Sequence, residues 1–273
     1  MDAQHSDVDW PMGERAVAGE EYARYAAVYD VLFGELDDDA GFYLKIARDY
    51  AGPSGSVLEL GTGTGRVAAR FLDAGHEVVG LDASVEMLAV AKQKLGHNPR
   101  FQALHGDVRT LRLGRTFPLA IAPYGMVAHL LTNEDRLAAF RTTREHLAPG
   151  GVFVFDDMPA WLGSHTDGTQ LEQRRIGNDP MSGMRVRLLS NCIDVAGQPL
   201  TVRYDLVDWL AGDEVARRLV IRVIFRNIAL ADELRLLDEA GFSRVELYGD
   251  FDGHAFDRRD VTANRRLIVL AYR

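Results

Sequence analysis

The 273-residue sequence predicts an α/β fold with a mostly parallel sheet, an antiparallel β insertion and an N-terminal helical cap. Three observations carry that expectation. Between residues 55 and 157, short apolar runs alternate with helical patterns, the arrangement of parallel strands covered on both faces. From Met184 to Ile228 the apolar period falls to two, as in half-buried strands. Before both, Tyr22, Tyr25, Tyr29 and Phe33, then Phe42, Tyr43 and Ile46, recur at helical spacing.

Taken in order, residues 1–19 are polar and without period, and are expected to be a mobile N-terminus. Residues 20–54 read as two cap helices interrupted by the acidic run Glu35-Leu36-Asp37-Asp38-Asp39. The core, 55–157, opens with Val57-Leu58-Glu59-Leu60, then Gly61-Thr62-Gly63-Thr64-Gly65-Arg66 and a helical pattern from Val67. That is a buried strand, a tight turn and a helix N-terminus. Glycine serves where φ is positive or a ligand nears the backbone, and the free N–H groups of the helix start attract a polar or anionic group. A second run, Val78-Val79-Gly80-Leu81, ends in Asp82, where a carboxylate can accept both hydroxyls of a ribose. A nucleoside-containing ligand follows.

Within 158–230, three antiparallel strands are expected at Met184–Ile193, Leu200–Leu210 and Leu219–Arg226, forming an insertion or lid. Residues 231–273 supply a helix from Ala231 to Ala240, ended by Gly241, and the last two strands, Val245–Tyr248 and Leu267–Ala271.

Glycine spacing separates two ligand classes. The dinucleotide fingerprint G-x-G-x-x-G is not met, because Arg66 stands where the third glycine belongs. The segment Glu59 to Gly65 instead resembles the first motif of class I S-adenosylmethionine-dependent methyltransferases, E/D-x-G-x-G-x-G. Later segments follow the order of that family. His105-Gly106-Asp107-Val108 resembles its adenine-reading segment, Phe117 to Pro123 its fourth strand, and His146-Leu147-Ala148-Pro149-Gly150-Gly151 the turn before its fifth.

The resemblance implies a Rossmann-like seven-stranded sheet, with S-adenosyl-L-methionine bound by 55–157. Its cofactor-binding residues would be Tyr25, Glu59, Gly61, Thr62, Gly63, Gly65, Arg66, Asp82, Ala83, Met87, Asp107, Val108 and Pro123. Asp107 would accept from the exocyclic amine, with the Val108 N–H facing a ring nitrogen. Glu59 would brace the glycine loop. Arg66 would pair with the methionine carboxylate or face solvent, and Asp82 would hold the ribose or cap the next helix, for which Ser84 also serves.

Tyr25-Ala26-Ala27-Val28-Tyr29-Asp30 is similar to the segment with which small-molecule methyltransferases close over the cofactor. Tyr25 or Tyr29 would bring a hydroxyl near the methyl group, packing being the plain alternative. The expected catalytic residues are Tyr29 and His129, the latter a general base with a suitable unperturbed pKa or a structural histidine. Asp156, Asp157, Asp250 and Asp252 would surround a cationic acceptor. No metal is expected, since Ala122-Pro123-Tyr124 ends the fourth strand without an acid.

Composition narrows the partners. A net charge of −9, with Lys45, Lys92 and Lys94 the only lysines, disfavours nucleic acid. A single cysteine, Cys192, excludes a disulfide framework. No run reaches the ~18 apolar residues of a membrane helix, and no signal segment is evident, so a cytoplasmic location is expected. The similarity is strongest to amino-sugar and glycine N-methyltransferase-like enzymes. It implies methyl transfer to a small-molecule acceptor, first to an amine and otherwise to a hydroxyl. A non-catalytic S-adenosylmethionine-binding protein and a nicotinamide-dependent oxidoreductase are the rivals, and homodimerisation is left open.

Overall fold

The computed structural model describes residues 20–36, 38–157 and 171–273. The expected mobile segment 1–19, Asp37 and the start of the insertion, 158–170, lie outside the described residues.

The main sheet has seven strands: β1 (Ser56–Leu60), β2 (Glu77–Asp82), β3 (Phe101–His105), β4 (Phe117–Ala122), β5 (Leu147–Asp157), β10 (Arg244–Tyr248) and β11 (Leu267–Tyr272). Their order is β10-β11-β5-β4-β1-β2-β3, parallel except for β11, which runs against both neighbours. The order reverses at β1, so the carboxyl ends of β1 and β4 flank a crevice, the place where open α/β sheets bind ligands.

Helices cover both faces. In α4 (Arg66–Asp73) the buried residues Val67, Ala68, Phe71 and Leu72 form one stripe, which packs with Tyr43 and Ile46 of α3 (Asp38–Tyr50) against the sheet. Phe140 of α6 (Asn133–Glu145) and Leu236 of α7 (Leu230–Glu239) join Phe153 and Phe155 in the core on the other face. Helix α5 (Val85–Leu95) starts at Ser84, whose hydroxyl accepts from the Met87 N–H at 3.3 Å.

Three local readings are corrected. The cap contains three described helices, not two, because α1 (Glu20–Tyr25) and α2 (Tyr29–Phe33) are separated by a turn and α3 begins inside the acidic run. The Pro-Gly-Gly turn is a bulged part of β5, shifting its register against β4 between Phe117 and Leu119. Among the described residues the insertion has four strands: β6 (Glu172–Asn178), β7 (Arg185–Asp194), β8 (Leu200–Ala211) and β9 (Glu214–Arg226). Strand β6 escaped detection because Glu172-Gln173-Arg174-Arg175 has no apolar alternation, and those residues are largely exposed at the sheet edge.

This second sheet packs Val186, Leu188, Val207, Trp209, Ile221 and Val223 on Tyr25, Val28, Leu32 and Phe33 of the cap. Cap and insertion thereby stand together beside the crevice. Among the described residues, no helix is long and apolar enough to cross a membrane.

Candidate active site

A cavity of about 530 Å³ opens at the carboxyl ends of β1, β2, β3 and β4 and runs to the cap and β9. Its first end is the glycine turn. Gly61 and Gly63 have φ of 71° and 55°, and a Cβ on Gly61 would lie 2.5 Å from Met126 Cγ. Gly65, φ 79°, caps α4 and has no room for a Cβ, which would come within 2.6 Å of Leu95. Gly65 thus serves helix packing and does not line the cavity, a correction to its expected role. Gly80 makes room for the turn, a packing role the motif did not reveal, since a Cβ there would lie 2.7 Å from Thr62 Oγ1.

Glu59 is only 2% exposed and accepts from the Thr62 hydroxyl at 2.7 Å. Burial pushes its carboxyl up to about 8, so at neutral pH it is largely protonated and braces the turn without adding charge. Asp82 accepts from the Gly63 N–H at 2.7 Å and the Ser84 N–H at 2.8 Å. Burial raises its pKa, while these N–H groups favour the charged form. One carboxylate thus joins the glycine turn to the start of α5 and still faces the cavity.

Thr62, Ala83, Met87, Asp107, Val108 and Pro123 line the same end. Asp107 is gripped by Arg109 Nε at 2.9 Å, and Arg109 reaches on to Asp135 at 2.6 Å. The Arg109 guanidinium holds the Asp107 carboxyl below its ordinary range. Arg109 was missed because it belongs to no glycine or acid motif.

At the other end stand Tyr29, His129 and three residues the sequence did not single out, Glu21, Tyr22 and Ile224. His129 closes the 3₁₀ turn Met126–His129, and its Nε2 lies 2.9 Å from the Tyr22 hydroxyl. Burial, helped by the Arg203 charge, lowers the imidazole to about 4, so it is neutral at physiological pH. The turn is pinned by Arg136, whose guanidinium donates to Val127 O at 2.9 Å, to Asp157 at 2.9 Å and to Glu233 at 2.6 Å.

Several expectations change here. Tyr25 does not line the cavity: its hydroxyl donates to Asp205 on β8, and Tyr22, one helical turn earlier, takes the cavity position. Arg66 borders the cavity, but its guanidinium is forked onto Asp39 at 2.5 and 2.7 Å and donates to Leu36 O. It is neither solvent-facing nor free to pair fully with a ligand carboxylate. Asp156 and Asp157 face the core, bound to Tyr43 and Arg136, while Asp250 pairs with His254 on an exposed loop. None of these acids lines the cavity, and neither does Asp252. The acids that do line it are Glu21, Glu59, Asp82, Asp107 and Asp135.

Comparison with known proteins agrees with this geometry. Residues 57–151 match the family described as a methyltransferase domain. The chain is 33% identical over 142 residues to dTDP-3-amino-3,4,6-trideoxy-alpha-D-glucopyranose N,N-dimethyltransferase of Streptomyces venezuelae, across 50% of this chain and 58% of that protein. The chain spans about half the length of the curated relatives it matches. Among solved structures, Streptomyces venezuelae DesVI superposes with a TM-score of 0.71 at 25% identity, covering 90% of this chain and 97% of DesVI. The CcbJ methyltransferase from Streptomyces caelestis gives 0.75 at 23% identity, covering 92% and 97%, and so shares the fold. The matched residues 57–151 hold the glycine turn, Asp82 and His129.

Proposed function

We propose that the protein is an S-adenosyl-L-methionine-dependent methyltransferase acting on an amine nitrogen of a small acceptor of the amino-sugar class. One observation carries the reading. A single cavity joins a nucleoside-shaped end, with the glycine turn, Asp82 and Asp107, to an end walled by Tyr22, Tyr29 and His129. The residues fit the cofactor: Gly61 and Gly63 form a positive-φ turn on the cavity wall, Asp82 faces the cavity as a ribose acceptor, and the Gly106–Val108 loop stands where a base would lie. The activity for which the Streptomyces venezuelae relative is named, N,N-dimethylation of a dTDP-3-amino sugar, supports nitrogen over oxygen.

When bound, S-adenosylmethionine supplies an activated methyl group on a sulfonium. The chain's own residues bind, align and exclude water, and alignment alone can lower a barrier by ~7–11 kcal/mol. Asp82 holds the ribose hydroxyls and Asp107, steadied by Arg109, reads the base. The Tyr29 hydroxyl stays protonated, because burial raises its pKa well above the ordinary value. It can donate but does not serve as a base. His129 is a neutral imidazole whose Nε2 shares a hydrogen bond with Tyr22, and with a pKa of about 4 it is a weak final store for the proton. Orientation of the nucleophile is therefore the larger share of its work.

The test is calorimetric titration with S-adenosylmethionine, S-adenosylhomocysteine and NAD, followed by methyl-transfer assays on amino-sugar nucleotides and simple amines. Binding of both adenosyl ligands without NAD, and turnover of an amine, is the expected result. NAD binding alone would return Asp82 to a dehydrogenase role, and cofactor binding without turnover of any acceptor would favour a non-catalytic binding protein.

A further inference from the structure

Among the described residues, Tyr124 is the one non-glycine residue with a left-handed backbone, φ 60°, and Gly125 beside it has φ 70°. A side chain in this region has a conformational cost that glycine avoids, so such residues persist only where the surroundings hold them. Here the holding group is Asp156. Its Oδ1 accepts the Tyr124 N–H at 2.7 Å and the Tyr43 hydroxyl at 2.7 Å, on a carboxylate with no exposure at all.

Core packing does not account for the tyrosine, because Tyr124 remains 38% exposed. Glycine would make the same turn. What the conformation achieves is placement of the ring on the cavity wall. The Arg66 guanidinium carbon lies 5.5 Å from its centroid and the Phe33 ring 6.1 Å away, so the ring sits between the helix of the glycine turn and the cap.

Strand order says which part of the ligand it faces. Asp82 ends β2 and Asp107 follows β3, both on one side of β1, whereas Tyr124 follows β4 on the other. A nucleoside held at Asp82 and Asp107 directs the rest of its molecule across the glycine turn toward β4. We propose that Tyr124 is a binding residue whose ring walls the sulfonium-bearing methionine end of the cofactor, with Asp156 the positioning residue that holds it there. This rests on the reading of the cavity as an S-adenosylmethionine site. An aromatic face attracts a sulfonium as it does other cations and shields it from water.

The test combines calorimetry with S-adenosylmethionine and thermal melting of Y124F, Y124G, Y124A, D156A and D156N. Y124F keeps the ring and should bind within about threefold of wild type, whereas Y124G and Y124A should bind about tenfold more weakly, the range of a desolvated cation–aromatic contact. Y124G should melt about 2–4 °C above Y124A, since both lack the ring and only alanine keeps the strained Cβ. D156A should weaken binding as Y124A does, and D156N, whose amide oxygen still accepts the N–H, should restore it. The Tyr124 series decides the matter even if D156A does not fold. Wild-type affinity in Y124G overturns the assignment of the ring, and Y124A melting at or above Y124G overturns the strain. Absence of binding by the wild type overturns the reading of the cavity and this assignment with it.

Discussion

At the end of the cavity formed by the tips of β1, β2 and β3, polar contacts are close in sequence. Thr62 reaches Glu59 across 3 residues, and Gly63 reaches Asp82 across 19. At the cap end the spans are of another order: Tyr22 meets His129 across 107 residues, and Tyr25 meets Asp205 across 180. The first end is made of backbone N–H groups set by glycine dihedrals, with carboxylates at strand tips. The second is made of side chains from the cap, the turn after β4 and the second sheet, each fixed by partners on another element.

The largest expected effect tests whether the cap end rests on its buried charges. Arg136→Leu leaves Asp157 and Glu233 buried without their cation, and should destabilise the fold by ~3–5 kcal/mol in urea titration. A loss under about 1 kcal/mol would mean that the His129 turn is held by packing. Next comes the nucleoside end. Asp82→Ala should weaken S-adenosylmethionine by ~1.5–3 kcal/mol with little change in melting temperature. An unchanged dissociation constant would remove Asp82 from the site. Tyr22→Phe removes one hydrogen bond to His129 and should cost ~0.5–1.5 kcal/mol of stability while leaving cofactor affinity intact. A matching fall in cofactor affinity would show that the two ends are not separable.

A further effect is a pH dependence. His129 is depressed to about 4 in the folded state from an unfolded value near 6.5, so below about 6.5 the unfolded chain binds more protons. Its contribution to stability is whole above about 6.5 and is lost as pH falls through the folded value of about 4. His129→Asn should flatten the acid limb of the urea midpoint between these values. A midpoint profile identical to wild type would place the imidazole in water.

Legibility followed the same division. Glu59, Gly61, Gly63, Asp82 and Asp107 were readable because each lies at a fixed offset from a strand end, and the seven strands of the main sheet announced themselves as apolar runs. Gly65 was readable as a required glycine, but its reason, contact with Leu95 rather than a ligand, appears only once α4 and α5 are packed. Tyr25 and Tyr22 share one stripe, and no local rule tells which meets Asp205 and which meets the cavity. Asp156 and Asp157 stand at a strand end as a ligand-binding acid would, yet Tyr43 and Arg136 turn both into the core. Strand β6 carried no alternation to read.

The sequence by itself determined the α/β layering, the glycine turn, and a carboxylate at the tip of the neighbouring strand. These follow from dihedral and periodicity rules that act within about thirty residues, the length of one βαβ unit. Tertiary structure alone decided that the cap and the second sheet meet over the crevice, that Tyr22 and His129 pair there, and that Arg66 is consumed by Asp39. It also set the protonation of Glu59 and His129, because desolvation depends on what the whole fold places around a group.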